Sequence, residues 1–204
     1  MLGSAPALFE RLYQFDWYSD PLRDWAATLN IQPGKQVLDL GCGPGNLTRE
    51  LAAGGVRITG VDKSDAMIKR AKRPQSQAQF KADNATDLSL EAASFNVVLS
   101  ASLINVVPNP SALLSEMARV LRPQGCASVL FPTPQFDANH AEHLIASRQL
   151  RPFAAGAIRL WASKARKLDP AVICEHFNAA GFEPPVVDSY LERGLAAVTA
   201  YVSA

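Results

Sequence analysis

The strongest constraint on how this chain folds is the run Val37-Leu38-Asp39-Leu40-Gly41-Cys42-Gly43-Pro44-Gly45-Asn46-Leu47-Thr48. Its first residues are nearly continuous in apolar character, as in a strand buried on both faces of a sheet. The glycines then turn the chain sharply into a helix over Asn46 to Ala53, which Gly54-Gly55 stops. A turn of this kind brings the backbone close to a ligand, and the helix start adds free N–H groups. The spacing is GxGxG, preceded by an acid. The dinucleotide pattern GxGxxG would need glycine at position 46, where Asn46 stands, and this disfavours a nicotinamide cofactor. Read without a ligand, the same residues make a tight strand–helix connection.

The remaining pattern extends this unit into a sheet. Arg57 to Val61, Ala78 to Lys81, Val97 to Leu99 and Ala127 to Phe131 read as further short strands. Helices are expected over Ser64 to Lys72, with Ser64 as N-cap and Pro74 beyond its end, and over Pro110 to Leu121. Strands alternating with helices predict an α/β fold, a parallel sheet covered on both faces. A length of 204 residues suits a single domain, and 48% hydrophobic with 19% charged residues is ordinary globular composition.

Two regions break the alternation. Ala5 to Asn30 is rich in aromatic residues, with Phe9, Tyr13, Phe15, Trp17, Tyr18 and Trp25. Pro134 to Lys167 reads as a helical insertion before a last helix over Asp169 to Ala180. Pro185 to Leu191 and Leu195 to Val202 then flank the short turn Glu192-Arg193-Gly194, a spacing suited to an antiparallel hairpin.

Charge and cysteine usage narrow the setting. The net charge of +1 gives no overall attraction to nucleic acid, and no nucleic-acid partner is expected. Cys42, Cys126 and Cys174 lie far apart without a CxxC pair, which suggests a reducing environment. Met1 to Arg11 lacks the basic and apolar regions of a secretory leader. The longest apolar candidate, Phe95 to Pro108, is interrupted by Asn96, Ser100, Ser102 and Asn105. The expected location is cytoplasmic.

Two further acids stand at strand ends. Asp62 closes the second strand about 20 residues beyond the glycine turn, where an acid can accept hydrogen bonds from ribose hydroxyls; it also suits the dipole of the following helix. Asp83-Asn84 follows the third strand. An acid and an amide there can read the amino group and ring nitrogens of an adenine, or simply form an Asx turn.

With these motifs in order, the sequence resembles the class I S-adenosylmethionine (SAM)-dependent methyltransferases, particularly the small ubiquinone-biosynthesis-like branch. The likeness is close from Gln36 to Phe131 and looser from Leu168 to Val202. It implies a seven-stranded Rossmann-like sheet in the order 3-2-1-4-5-7-6 with the last strand antiparallel and helices on both faces. It further implies SAM as cofactor and methylation of a small molecule. Asp39, Gly41 and Gly43 would surround the methionine moiety, and Gly45 would let the next helix pack closely. Asp62 would hold the ribose, Lys63 and Met67 would flank the adenosine, and Asp83 and Asn84 would face the adenine. The Ser100 backbone would meet the methionine ammonium group. Residues 1–35 would form an aromatic lid and residues 134–168 an insertion over the site. Three residues depart from the pattern: Asn96 for a frequent aspartate, Gln124 for the first of two glycines, and Asn105 for a frequent histidine.

Methyl transfer asks chiefly for alignment and dryness, because the sulfonium already activates its methyl group. A base helps only where the nucleophile must lose a proton early. His140 and His143, one helical turn apart, and Tyr18 are the candidates for catalysis, the histidines reading equally well as surface residues. They have no acid or cysteine partner at ligand spacing, so no metal is assigned. His176 reads as a polar-face residue of the last helix. Arg148, Arg151, Arg159, Lys164, Arg166 and Lys167 make the insertion basic; they suit an anionic substrate, a peripheral contact with an acidic lipid surface, or a solvated face. A noncatalytic SAM-binding protein and, less favoured, a nicotinamide-dependent oxidoreductase remain as alternatives.

Overall fold

A computed structural model describes residues 4–73 and 76–204; Pro74, expected just beyond the fourth helix, lies outside the described residues. Among them, β1 (Gln36–Leu40), β2 (Arg57–Asp62), β3 (Gln79–Ala82), β4 (Phe95–Ala101), β5 (Leu121–Pro132), β6 (Val186–Tyr190) and β7 (Leu195–Tyr201) form one sheet. Its order is β3-β2-β1-β4-β5-β7-β6, as the resemblance implied. The first five strands are parallel; β7 runs antiparallel to both β5 and β6. The order reverses between β1 and β4, which opens a crevice at the carboxyl ends of the strands.

Alternation along the strands feeds two cores. Leu38 and Leu40 of β1, Val98 of β4, and Val129 and Phe131 of β5 face α5 (Pro110–Val120) and α8 (Pro170–Ala179), meeting Leu113, Met117, Ile173 and Phe177. Val37, Ile58, Val97, Leu99 and Leu130 face the other way. They pack on α2 (Asp16–Thr28), α3 (Asn46–Ala53), α6 (Ala138–Ser147) and α7 (Pro152–Lys164). Period-two alternation therefore points Asp39, between Leu38 and Leu40, towards α3.

Local chemistry fixes the element ends. Ser64 caps α4 (Asp65–Ala71) by accepting from the Met67 N–H at 3.4 Å, and Asn109 caps α5 through the Ala112 N–H. The aromatic N-terminal stretch is two helices, α1 (Ala5–Leu12) and α2, and the insertion is likewise split into α6 and α7. Gln149 at φ +50° and the extended Arg151 before Pro152 separate the latter pair. Two departures from the family pattern have local roles. Asn96 Oδ1 accepts the Gln36 N–H at 2.9 Å and so pins the start of β1 to β4. Gln124 takes the left-handed conformation, φ +61°, that a glycine would adopt more readily.

Candidate active site

The glycine turn leaves β1 at the point where the strand order reverses. Gly41, Gly43 and Gly45 all have positive φ, at +75°, +54° and +74°. The Gly41 and Cys42 N–H groups both donate to the Val61 carbonyl, at 2.7 and 3.0 Å, so the turn is bolted to the end of β2. Gly43 differs from its neighbours in surroundings: an added Cβ would meet nothing within 4 Å. At Gly45 the same atom would lie 2.7 Å from the Phe80 ring and 2.9 Å from Ala71. Gly45 thus serves packing of α3 against β3 and α4, whereas Gly43 borders open space.

Three carboxylates sit around this turn. Asp39 is buried, 4% exposed, and accepts a 2.6 Å hydrogen bond from the Thr48 hydroxyl of α3. Burial pushes its carboxyl up to about 6 despite the opposing Thr48 bond, and the neighbouring Asp62 charge adds to the rise. Asp62 uses Oδ2 for the Gly43 N–H and Oδ1 for the Ser64 N–H, at 3.0 and 2.9 Å. Each oxygen keeps further acceptor capacity. Asp83 accepts from the Asn84 N–H and from the Ser89 hydroxyl and N–H. Burial opposes its ionisation, yet these bonds and Lys81 together hold it below the usual carboxylate range. Asn84 Oδ1 accepts the Thr86 N–H two residues on, which is an Asx turn.

These residues border one cavity of about 980 Å³. Asp39, Gly41, Gly43, Asp62, Lys63, Met67, Asp83 and Asn84 line it, as does Tyr18. Gly45 and Ser100 do not: the Ser100 hydroxyl donates to the Leu40 carbonyl at 2.9 Å, and the wall passes to Ala101 and Ser102. The opposite side is apolar. Leu12, Tyr13 and Trp17 from the N-terminal helices face Phe153, Leu160 and Trp161 of α7, and Leu103 and Val106 supply the floor after β4. Burial pushes the Tyr18 hydroxyl up to about 12, so it is a neutral donor at neutral pH.

The two histidine candidates stand elsewhere. His140 Nε2 lies 3.1 Å from the Leu191 carbonyl, and His143 pairs with Glu192. Both are held at the β6–β7 turn because α6 packs there, and neither lines the cavity. His176 meets the Ser111 hydroxyl on the far side, between α8 and α5. Part of the basic insertion is paired: Arg159 with Glu142, Arg148 with Glu192, and Lys167 with the Ala162 carbonyl. Of its cations, Lys164 lines the cavity. Sequence reasoning expected the insertion over the site but did not single out Thr48, Leu103 or the residues of α7 that line the cavity. The signal available for the wall was Phe153 and Trp161, whose aromatic side chains are unusual in a merely solvated helix. Among the described residues no helix is long and apolar enough to cross a membrane, and no group of three or more metal-ligating side chains gathers.

Residues 38–129 match the methyltransferase domain family. Over 96 residues the chain is 34% identical to a ubiquinone biosynthesis O-methyltransferase from Coxiella burnetii, covering 45% of this chain and 41% of that one. Over 108 residues it is 41% identical to a demethylmenaquinone methyltransferase from Beutenbergia cavernae, covering 52% and 45%. The chain thus spans less than half the length of these relatives. A SAM-dependent methyltransferase structure from Aquifex aeolicus superposes with a TM-score of 0.73 at 15% identity, over 98% of this chain and all of that one. Residues 38–129 are thus similar to methyltransferase domains, quinone-biosynthesis methyltransferases among them, and the chain shares its fold with SAM-dependent methyltransferase structures.

Proposed function

We propose that the protein transfers a methyl group from SAM to a small-molecule acceptor, with cofactor and acceptor in opposite halves of the one cavity. The observation that carries this reading is the division of its wall: glycine turn and carboxylates on the β1–β3 side, aromatic and aliphatic side chains on the other. The open space beside Gly43 suits a group lying against backbone, and the spare lone pairs of Asp62 suit ribose hydroxyls. Ionised Asp39 places negative charge near the cationic methionine portion. Lys63 and Met67 border the adenosine, and Asn84 presents the rest of its amide to the adenine. Asp83, largely committed to Ser89, shapes that turn, and the backbone past Ser100 leads the wall towards the ammonium group.

When bound, SAM supplies an activated methyl group, which a nucleophile displaces to leave S-adenosylhomocysteine. The chain aligns the acceptor and excludes water. In this reading α1 and α2 act as a lid and α7 as its counterpart. Arg11 supports it, its guanidinium 3.5 Å from the Phe153 ring centre across α1 and α7. Such alignment can be worth up to ~7–11 kcal/mol.

Mass spectrometry of freshly purified protein, followed by SAM calorimetry and S-adenosylhomocysteine release over an acceptor panel, tests the proposal. Binding with turnover is expected. Binding without turnover on phenols, amines and thiols would instead favour a noncatalytic SAM-binding protein, a reading supported by the absence of histidine from the described cavity wall.

A further inference from the structure

Glu116 and Arg119, three residues apart on α5, form a partly buried ion pair that does not line the cavity. Arg119 Nε donates to Glu116 Oε1 at 2.8 Å and Nη2 to Oε2 at 2.7 Å. The pair also grips the segment Leu88-Ser89-Leu90. Glu116 Oε2 accepts the Leu88 N–H at 2.8 Å, and Arg119 donates to the Leu88 and Leu90 carbonyls at 3.0 and 2.8 Å. A planar guanidinium can hold two carbonyls and a carboxylate at once, in a geometry that an ammonium cannot match. The bonds from Arg119 outweigh burial and hold the Glu116 carboxyl below the usual carboxylate range, so both partners are charged at neutral pH.

Ser89, at the centre of the gripped segment, is in turn the partner of Asp83. Its hydroxyl and N–H both donate to Asp83 Oδ2, at 2.7 and 3.1 Å, and Lys81 Nζ donates to the same hydroxyl at 2.6 Å. Contacts therefore run from α5 through Ser89 to Asp83 and its neighbour Asn84, both of which line the cavity. The Asp83 N–H donates to the Asp62 carbonyl at 3.2 Å, so the sheet fixes one end of this corner and α5 the other. The glycine turn is braced separately, by Asp62 and the Val61 carbonyl.

We propose that Glu116 and Arg119 are positioning residues for the cofactor's base: by holding Leu88-Ser89-Leu90 they set where the Asp83–Asn84 corner meets the adenine, without touching it. This rests on reading the cavity as a SAM site. Loss of the pair weakens the adenosine end of the cofactor and leaves the methionine end to the separately braced glycine turn.

The test is calorimetry on folded protein, well below its melting midpoint, with three ligands. S-adenosylhomocysteine is the reference. Methylthioadenosine keeps the adenosine and lacks the amino acid. S-inosylhomocysteine carries an oxo group in place of the adenine amino group and a protonated ring nitrogen. Wild type should prefer S-adenosylhomocysteine over the inosine analogue by about tenfold or more. Arg119→Met should weaken both adenosine ligands by one common factor, about three- to tenfold, and the inosine ligand by less than about twofold. Glu116→Ala should reproduce that pattern, whereas Glu116→Gln, which keeps an acceptor for the Leu88 N–H, should retain the wild-type preference. If Arg119→Met fails to fold, Arg119→Lys, which keeps the charge and loses the fork, carries the same expectation. Equal weakening of all three ligands would mean general loosening and would overturn the assignment. Wild-type affinities beside a lowered melting midpoint, or no base preference in wild type, would do so too. Failure of wild type to bind S-adenosylhomocysteine at all would instead overturn the SAM-site reading beneath it.

Discussion

The Gly43 N–H donates to Asp62 Oδ2 at 3.0 Å, linking the glycine turn to the end of β2 across 19 residues of sequence. One carboxylate therefore shapes the turn and offers its remaining lone pairs to the cavity. Replacing Asp62 removes both functions, and conservative and radical substitutions should separate them. Asp62→Asn keeps one acceptor oxygen but no charge; Asp62→Ala keeps neither. A hydrogen bond to a charged group is worth about 1.5–3 kcal/mol, so SAM affinity should fall roughly tenfold or more in both, and further in the alanine variant. Calorimetry reads this directly, with circular dichroism checking that the sheet persists.

The Asp39 carboxyl gives a pH signature. Its native value of about 6 stands above the ordinary 3.8, so the folded protein binds this proton more tightly than the unfolded chain. Ionised Asp39 thus costs the unliganded fold up to ~3 kcal/mol, a cost relieved as pH falls through 6. Glu50 and Glu116, held below the ordinary carboxylate range, add their opposite trend only at lower pH. The unliganded melting midpoint should therefore rise between about pH 7.5 and 5, while SAM affinity drops because the cation favours the ionised form. Asp39→Asn should flatten both profiles. It retains an acceptor for Thr48, so the fold should survive.

Gly45 tests packing where Gly43 tests binding. A Cβ at Gly45 would press on Phe80 and Ala71 at 2.7 and 2.9 Å, in a left-handed conformation unfavourable for alanine. Gly45→Ala should destabilise the protein by about 2 kcal/mol or more in chemical denaturation. Wild-type stability for this variant would contradict the packing described between α3, α4 and β3.

Glu10 tests the proposed lid. It pairs with Arg70 and Arg73 and so ties α1 to the α4 end of the molecule. Glu10→Gln should speed SAM dissociation by about two- to fivefold, the range a partly exposed ion pair supports. Added salt should reproduce that effect in wild type and change the variant little. Stopped-flow dissociation measures both, and rates equal to wild type would remove the ion pair from the lid's closure.

How much was legible in sequence follows the range of each interaction. The GxGxG turn and Asp62 rest on local patterns, and Val37 to Thr48 announces strand, turn and helix within twelve consecutive residues, whereas the strand order follows only from the family resemblance. The α7 wall and the Trp17–Trp161 contact depend on where an insertion folds back over the sheet, which no local period encodes. The histidines show the same limit. Three-residue spacing correctly puts His140 and His143 on α6, but only the docking of α6 against the β6–β7 turn shows that they face Leu191 and Glu192. Asn84 makes the Asx turn the sequence allows and also lies on the cavity wall.

The melting midpoint of wild type, Gly43→Val and Gly55→Ala, each with and without SAM, tests the assignment of the glycine turn as cofactor site most directly. A Cβ at Gly43 would enter space next to the cavity, whereas Gly55, φ +83°, ends α3 away from it. SAM at a hundredfold excess over its Kd should raise the wild-type midpoint by about 5–10 °C. Gly55→Ala should melt lower yet keep that shift, and Gly43→Val should lose it. A full SAM-induced shift in Gly43→Val, or none in wild type, would contradict the glycine turn as the cofactor site.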